Sequence, residues 1–227
     1  MLTFHLPRRP LGHICTLAGI VRMCGFIILV AGLVSFSSAF YVAAGADINN
    51  TVNMSGAAHG RFMYFAFGSN LLKERLQLAN PSATFCTTGR LKDYELNFGL
   101  WEKHVDNAWH GGVATIEFCP GAEVWGVIWT LSNDNLKSLD NQEGVSLGKY
   151  SPIEVSVETD NGVTLCRTYQ MNNFHACPPS PQYKQVVCLG AEQNGLPVEY
   201  LKRLEAIKTN NYSGPSILDQ IKTVEKQ

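Results

Sequence analysis

From Phe62 to Phe67 the chain is an unbroken aromatic and apolar run, FMYFAF, which ends at Gly68-Ser69-Asn70. A short apolar run closed by a turn signal predicts a buried strand. Beyond it the period changes. Leu72, Leu76 and Ala79 stand at i, i+4 and i+7, one face of a helix, with Ser69 or Asn70 placed to cap it and Asn80-Pro81 to stop it. A strand feeding through Gly-Ser-Asn into a helix directs backbone N–H groups and the positive end of the helix dipole at one spot, which suits a carboxylate or phosphate. An ordinary capped turn has the same pattern.

The later pattern alternates. Leu91–Phe98 reads as a half-buried strand, and Gly99–Gly112 as a polar loop carrying Trp101, Trp109 and His110. Val113–Phe118 and Val124–Leu131 are strand-like, with Cys119-Pro120-Gly121 as a turn between them. Ser132–Asn141 predicts a short helix capped by Ser132, with Leu136 and Leu139 inward. Ile153, Val155 and Val157 alternate, as do Leu165, Arg167 and Tyr169, on either side of Asp160-Asn161-Gly162. This is the strongest hairpin signal in the chain. Pro178, Pro179 and Pro181 predict a rigid loop. Pro197 opens a helix with Val198, Leu201, Leu204 and Ile207 on its buried face, and a last helix begins at Ser216. Hairpin-linked strands with helices at the ends predict an α+β domain on a mainly antiparallel sheet.

Composition narrows the class. With 227 residues, 45% of them hydrophobic and 16% charged, the chain can build one well-packed domain. A net charge of -1 gives no electrostatic footprint for nucleic acid. The seven cysteines include no C-x-x-C pair, so they read as buried or free thiols from a reducing compartment. The N-terminus points elsewhere. Arg8, Arg9 and Arg22 precede the uncharged stretch Met23–Ala46, long enough to span a bilayer at about 20 residues and ending in an A-x-A cleavage pattern. Residues 1–46 are therefore expected to be a signal peptide or membrane anchor, with membrane contact through residues 23–46. Residues 47–60 form a small, polar linker, and 61–227 the folded domain. Sequons at Asn49, Asn53 and Asn211 fit export but also arise by chance.

Glu143 is the first candidate for chemistry. It follows the short predicted helix and precedes Gly144, a natural C′ glycine. The negative end of the helix dipole and partial burial would both raise its pKa, towards the range useful for acid–base work. Position alone leaves it one acid among many. No G-x-S-x-G, Walker loop, dinucleotide fingerprint or H-E-x-x-H is present. The histidines His59, His104, His110 and His175 are scattered, so neither metal nor cofactor is expected.

Taken together, YFAFGSNLL, LDNQEGVSLGKY (Leu139–Tyr150), CPPSPQYK (Cys177–Lys184) and LGAEQNGLP (Leu189–Pro197) resemble the gamma-glutamylcyclotransferase family, also called the AIG2-like or cyclotransferase-like fold. The likeness covers about Phe62 to Tyr212. It implies a small, distorted, mainly antiparallel β-barrel with flanking helices, a γ-glutamyl amino acid or dipeptide as substrate, and cyclisation to 5-oxoproline with release of an amino acid. By the family pattern Glu143 is the general acid/base. Tyr64, Phe65, Ala66, Phe67, Gly68, Ser69 and Tyr183 bind substrate, and Tyr150 borders the site. Phe67 departs from the pattern, standing where many members have tyrosine. The family is typically cytosolic, at odds with the N-terminal segment, and pairing of two copies is familiar in it. Relatives that cleave γ-glutamylamines or glutathione, and a non-catalytic binding protein of this fold, are the alternatives.

Overall fold

The computed structural model describes residues 60–215. The predicted leader, all of the linker before Gly60 and the helix expected from Ser216 lie outside the described residues.

Five strands close a barrel. They are β1 (Arg61–Ala66), β2 (Thr84–Leu100), β3 (Val113–Ser132), β4 (Tyr150–Thr159) and β5 (Gly162–Met171). The order is β3-β1-β5-β4-β2, and β2 pairs back onto β3. β1 runs antiparallel to β3, with Phe65 opposite Ile128, and meets β5 in a parallel contact at Tyr64↔Arg167. The remaining pairs are antiparallel, so the mainly antiparallel barrel expected from the resemblance is present, with one parallel seam. A two-residue strand β6 (His175–Ala176) extends β2 and takes up His175. Phe65, Ile116, Val127, Ile128, Trp129, Leu131 and Val157 fill the interior without solvent exposure. Interiors are close-packed, so the strands have little freedom to shift relative to one another.

Several local expectations change. Cys119-Pro120-Gly121 does not end a strand. β3 continues through it, because β2 runs unbroken alongside: Lys92 faces Glu123 and Tyr94 faces Phe118, so residues 119–122 bulge out opposite Asp93. The Gly121 N–H donates to the Asp93 carboxylate at 2.9 Å, and Gly121 has φ 83°. On β5 Cys166, Thr168, Tyr169 and Met171 are buried, so Tyr169 packs inward as expected, while Leu165 is exposed. The two-residue Asp160-Asn161 turn sets this register, placing Cys166 opposite the inward Val155.

The helices differ more. A 3₁₀ turn at Ser69–Leu71 is followed by extended Leu72 and then by α1 (Lys73–Gln77). Neither Ser69 nor Asn70 caps α1 with its side chain, because the helix starts too late for either. Leu72 and Leu76 are buried as expected, whereas Ala79 lies beyond the helix. Ser132 does act as a cap, for the 3₁₀ turn Asn133–Asn135 that leads into α2 (Leu136–Gln142): its hydroxyl accepts from the Asp134 N–H at 3.3 Å, and Leu139 is fully buried. The proline segment starts a helix, α3 (Pro181–Gln193), with Pro181 in its first turn and the Ser180 hydroxyl accepting from the Tyr183 N–H at 3.2 Å. A Cβ on Gly190 of α3 would lie 2.3 Å from the Leu72 nitrogen, so the helix backbone packs flush on the turn after β1. In α4 (Val198–Glu205) Tyr200 and Leu204 are buried, and Val198 points outward.

Candidate active site

β1, the 3₁₀ turn, the end of α2, the start of β4 and α3 converge on two adjoining cavities. The inner one, about 40 Å³, is walled by Tyr64, Phe67, Gly68, Ser69, Asn70, Ala114, Glu143, Tyr150, Tyr169 and Tyr183. The outer one, about 240 Å³, opens beyond it and is lined by Arg75, Trp101, Asn107, Trp109, Gln142 and Lys149 among others. Ser69, Glu143, Tyr150 and Tyr183 border both. Glu143 therefore stands at the junction.

Local sequence explains its position. Glu143 is the last residue of the α2 turn, its N–H donating to the Leu139 carbonyl at 3.0 Å. Gly144 follows with φ 67°, the left-handed conformation that ends a helix and that glycine adopts without strain. The Glu143 carboxyl is pushed up to about 7. Burial is the largest cause and the nearby Asp140 adds to it, while Arg75 and a hydrogen bond from Asn70 pull the other way. Desolvation outweighs them, so the group changes charge near neutral pH.

Asn70 fixes that carboxylate. Its side-chain N–H₂ donates to Glu143 Oε1 at 2.9 Å and to the Tyr64 hydroxyl at 3.0 Å. Its own oxygen accepts from Gln142 Nε2 at 2.7 Å, and Gln142 in turn accepts from Asn80 Nδ2 at 3.0 Å. The Asn70 backbone carbonyl accepts from the indole of buried Trp129 at 3.1 Å. A chain of amides thus runs from Asn80 to the carboxylate, leaving Asn70 one orientation.

The tyrosines are held as hydroxyls. Burial, with Glu143 next in importance, raises Tyr64 well above its usual value, and Tyr183 is pushed up to about 12, again chiefly by burial. The Tyr183 oxygen accepts from the Ala114 N–H at 2.9 Å, and Tyr150 donates to the Ala114 carbonyl at 2.7 Å. Both phenols are therefore pinned to β3. A Cβ on Gly68 would come 2.8 Å from Ala114 Cβ and 3.1 Å from the Tyr183 hydroxyl, so the turn needs a glycine for space.

The structure gathers Tyr64, Phe67, Gly68, Ser69, Glu143, Tyr150 and Tyr183 around one cavity. Phe65 and Ala66 line neither space. Both are core residues, and the Phe65 carbonyl accepts from Thr168 at 2.8 Å. Phe67 supplies an apolar wall.

A sequence model of the AIG2-like family matches residues 123–204. A gamma-glutamylcyclotransferase of Bos taurus is 52% identical over 167 residues, covering 73% of this chain and 88% of the relative. One from Homo sapiens is 48% identical over 176 residues, covering 77% and 93%. A solved gamma-glutamyl cyclotransferase structure superposes with a TM-score of 0.70 at 49% identity, covering 74% of this chain and 99% of that one. The chain belongs to the gamma-glutamylcyclotransferase family.

In this gamma-glutamylcyclotransferase family member the sequence reading passes over three groups of cavity residues. Asn70 reads as a helix cap, and nothing in the local pattern singles out Gln142, Arg75 or Lys149. The tripeptide Gly68-Ser69-Asn70 carries the signal for Asn70. For Gln142 the pointer is its place directly before Glu143. Among the described residues no group of three or more histidine, cysteine, aspartate or glutamate side chains could hold a metal, and no helix is long and apolar enough to cross a membrane.

Proposed function

We propose that Glu143 carries out both proton transfers of a gamma-glutamylcyclotransferase reaction in the inner cavity. The chain is an enzyme of this activity, and relatives about half identical to it bear that name. In a γ-glutamyl amino acid the α-amine lies a few bonds from its own γ-carbonyl. Ionised Glu143 takes a proton from the α-ammonium, and the freed nitrogen attacks the carbonyl carbon. The new C–N bond closes the five-membered ring. As the tetrahedral intermediate collapses, the C–N bond to the departing amino acid breaks and Glu143 returns its proton to that nitrogen, while the second proton of the ring nitrogen passes to the released amine, which leaves as an ammonium. The products are 5-oxoproline and a free amino acid, and no water or cofactor is consumed.

The observation that carries this reading is the carboxyl with a pKa of about 7, fixed by Asn70 at the junction of the cavities. A group poised there is a competent base and then a competent acid at neutral pH. The reaction is already intramolecular, so folding the substrate into its ring-closing shape supplies much of the rate. Tyr64, Phe67, Gly68, Ser69 and Tyr183 surround the space for the glutamyl head. The backbone amides at Gly68 and Ser69 bind its α-carboxylate or support the developing oxyanion.

The test uses the full chain with γ-glutamyl-alanine, following 5-oxoproline and alanine, with Glu143→Gln in parallel. Stoichiometric products from the parent and near-silence from a folded Glu143→Gln are expected. Equal rates in the two would remove Glu143 from the mechanism, and a folded but silent parent would redirect the search to γ-glutamylamines and glutathione.

A further inference from the structure

The outer cavity holds two cations that the proton transfers do not use. Arg75 comes from α1, and Lys149 from the strap between Glu143 and β4. Among the described residues neither forms an ion pair. Each lies against an indole instead: the Lys149 ammonium is 4.4 Å from the centre of the Trp101 ring, and the Arg75 guanidinium is 5.8 Å from that of Trp109. Such contacts hold a cation in place without neutralising it. The Lys149 stem is also packed over Gly144, where an added Cβ would lie 2.7 Å from its Cδ, so its position is tied to the residue next to Glu143.

The chemistry of the departing group says what such cations would meet. Its α-carboxyl carbon is two bonds from the nitrogen that Glu143 must protonate, roughly 2.5 Å away by standard bond lengths. A free carboxylate therefore enters the outer cavity within a few ångströms of Glu143. Two anions so close repel unless cations share the space. A γ-glutamylamine brings no such charge, and glutathione puts an amide there with its carboxylate one residue further out.

Resting on the reaction given above, we propose that Arg75 and Lys149, backed by Trp109 and Trp101, bind the α-carboxylate of the departing amino acid. This clamp selects γ-glutamyl amino acids over γ-glutamylamines and longer γ-glutamyl peptides. Arg75 offers a planar fork to the two oxygens and Lys149 a point charge.

The experiment compares γ-glutamyl-alanine with γ-glutamyl-alaninamide, which differ by that one charge, in the full chain and its Arg75→Gln and Lys149→Gln variants. Turnover is read as 5-oxoproline, and binding by calorimetry in a Glu143→Gln background. The parent should favour the acid in kcat/KM by about tenfold or more, as expected for charged hydrogen bonds. Lys149→Gln should erase much of that preference through KM, lowering kcat/KM for the acid far more than for the amide. Arg75→Gln should also cut the preference for the acid, and in addition move the pH profile of both substrates upward, because Arg75 lowers the Glu143 pKa. Equal losses on both substrates, or no preference in the parent, overturn the clamp. Turnover without preference refutes the clamp and spares the reaction. Preferential binding of the acid without 5-oxoproline does the reverse, and binding of neither compound overturns both.

Discussion

Asn70 donates one side-chain hydrogen bond to Glu143 and its second to Tyr64, joining the carboxylate and a cavity-lining phenol through a single amide. The bond stabilises the ionised carboxylate, so it pulls the Glu143 pKa down against burial. Asn70→Ala should therefore move the rising limb of the kcat/KM profile above pH 7. Near neutrality it should lower activity about tenfold or more, by loss of both ionised base and orientation. The pH–rate profile checks this. An unchanged midpoint with a lower plateau would leave orientation as the whole effect of Asn70.

The raised pKa also affects stability. Below the ordinary value of 4.5 Glu143 is protonated whether the chain is folded or not, and costs nothing. Between there and about 7 the folded protein keeps a proton that the unfolded chain has released, so stability falls as pH rises. Glu143→Gln should be the more stable protein above pH 7, by up to about 3.5 kcal/mol at about 1.4 kcal/mol per unit, and should converge with the parent in acid. Denaturation at a series of pH values reads the difference. Parallel curves would show that burial does not shift this group.

Gly68 is tight without being strained. Gly68→Ala should cost about 1–3 kcal/mol by overpacking and lower activity further by displacing the Tyr183 hydroxyl. Ala114→Gly removes the nearer clash and should restore part of the stability. Thermal melts of both single variants and the double variant decide it, and purely additive losses would place the conflict elsewhere.

Tyr183→Phe leaves the buried Ala114 N–H without its partner, which should cost about 1–3 kcal/mol. The folded variant should also turn over γ-glutamyl-alanine more slowly. A variant as stable as the parent would mean that another acceptor takes over the N–H.

Much of this site is written in short local signals. The run Phe62–Phe67, the Gly68-Ser69-Asn70 turn, the Glu143-Gly144 helix end and the Asp160-Asn161 hairpin are each set by neighbours within a few residues, and each appears in the structure. What stays hidden depends on partners far along the chain. Asn70 reads as a cap because its true acceptor lies 73 residues away. Cys119-Pro120-Gly121 reads as a turn because the unbroken β2 beside it is invisible in its own sequence. The proline segment hides α3, although Ser180-Pro181 is a regular helix start whose meaning depends on recognising a cap instead of counting prolines. Arg75 and Lys149 look like any surface cations until folding sets them on tryptophans.

The parallel seam between β1 and β5 has a consequence for when catalysis can begin. No hairpin can join these two strands, and Tyr64 meets Arg167 only after most of the domain has been traversed. Pairings between residues so distant in sequence are entropically slow to form. Yet β1 delivers Tyr64 and, through the turn that follows, Asn70 to the carboxylate on α2. A chain with its hairpin made and β1 not yet docked on β3 and β5 has Glu143 but nothing to aim it. Production of 5-oxoproline during refolding would therefore time the docking of β1, with the enzyme acting as its own clock.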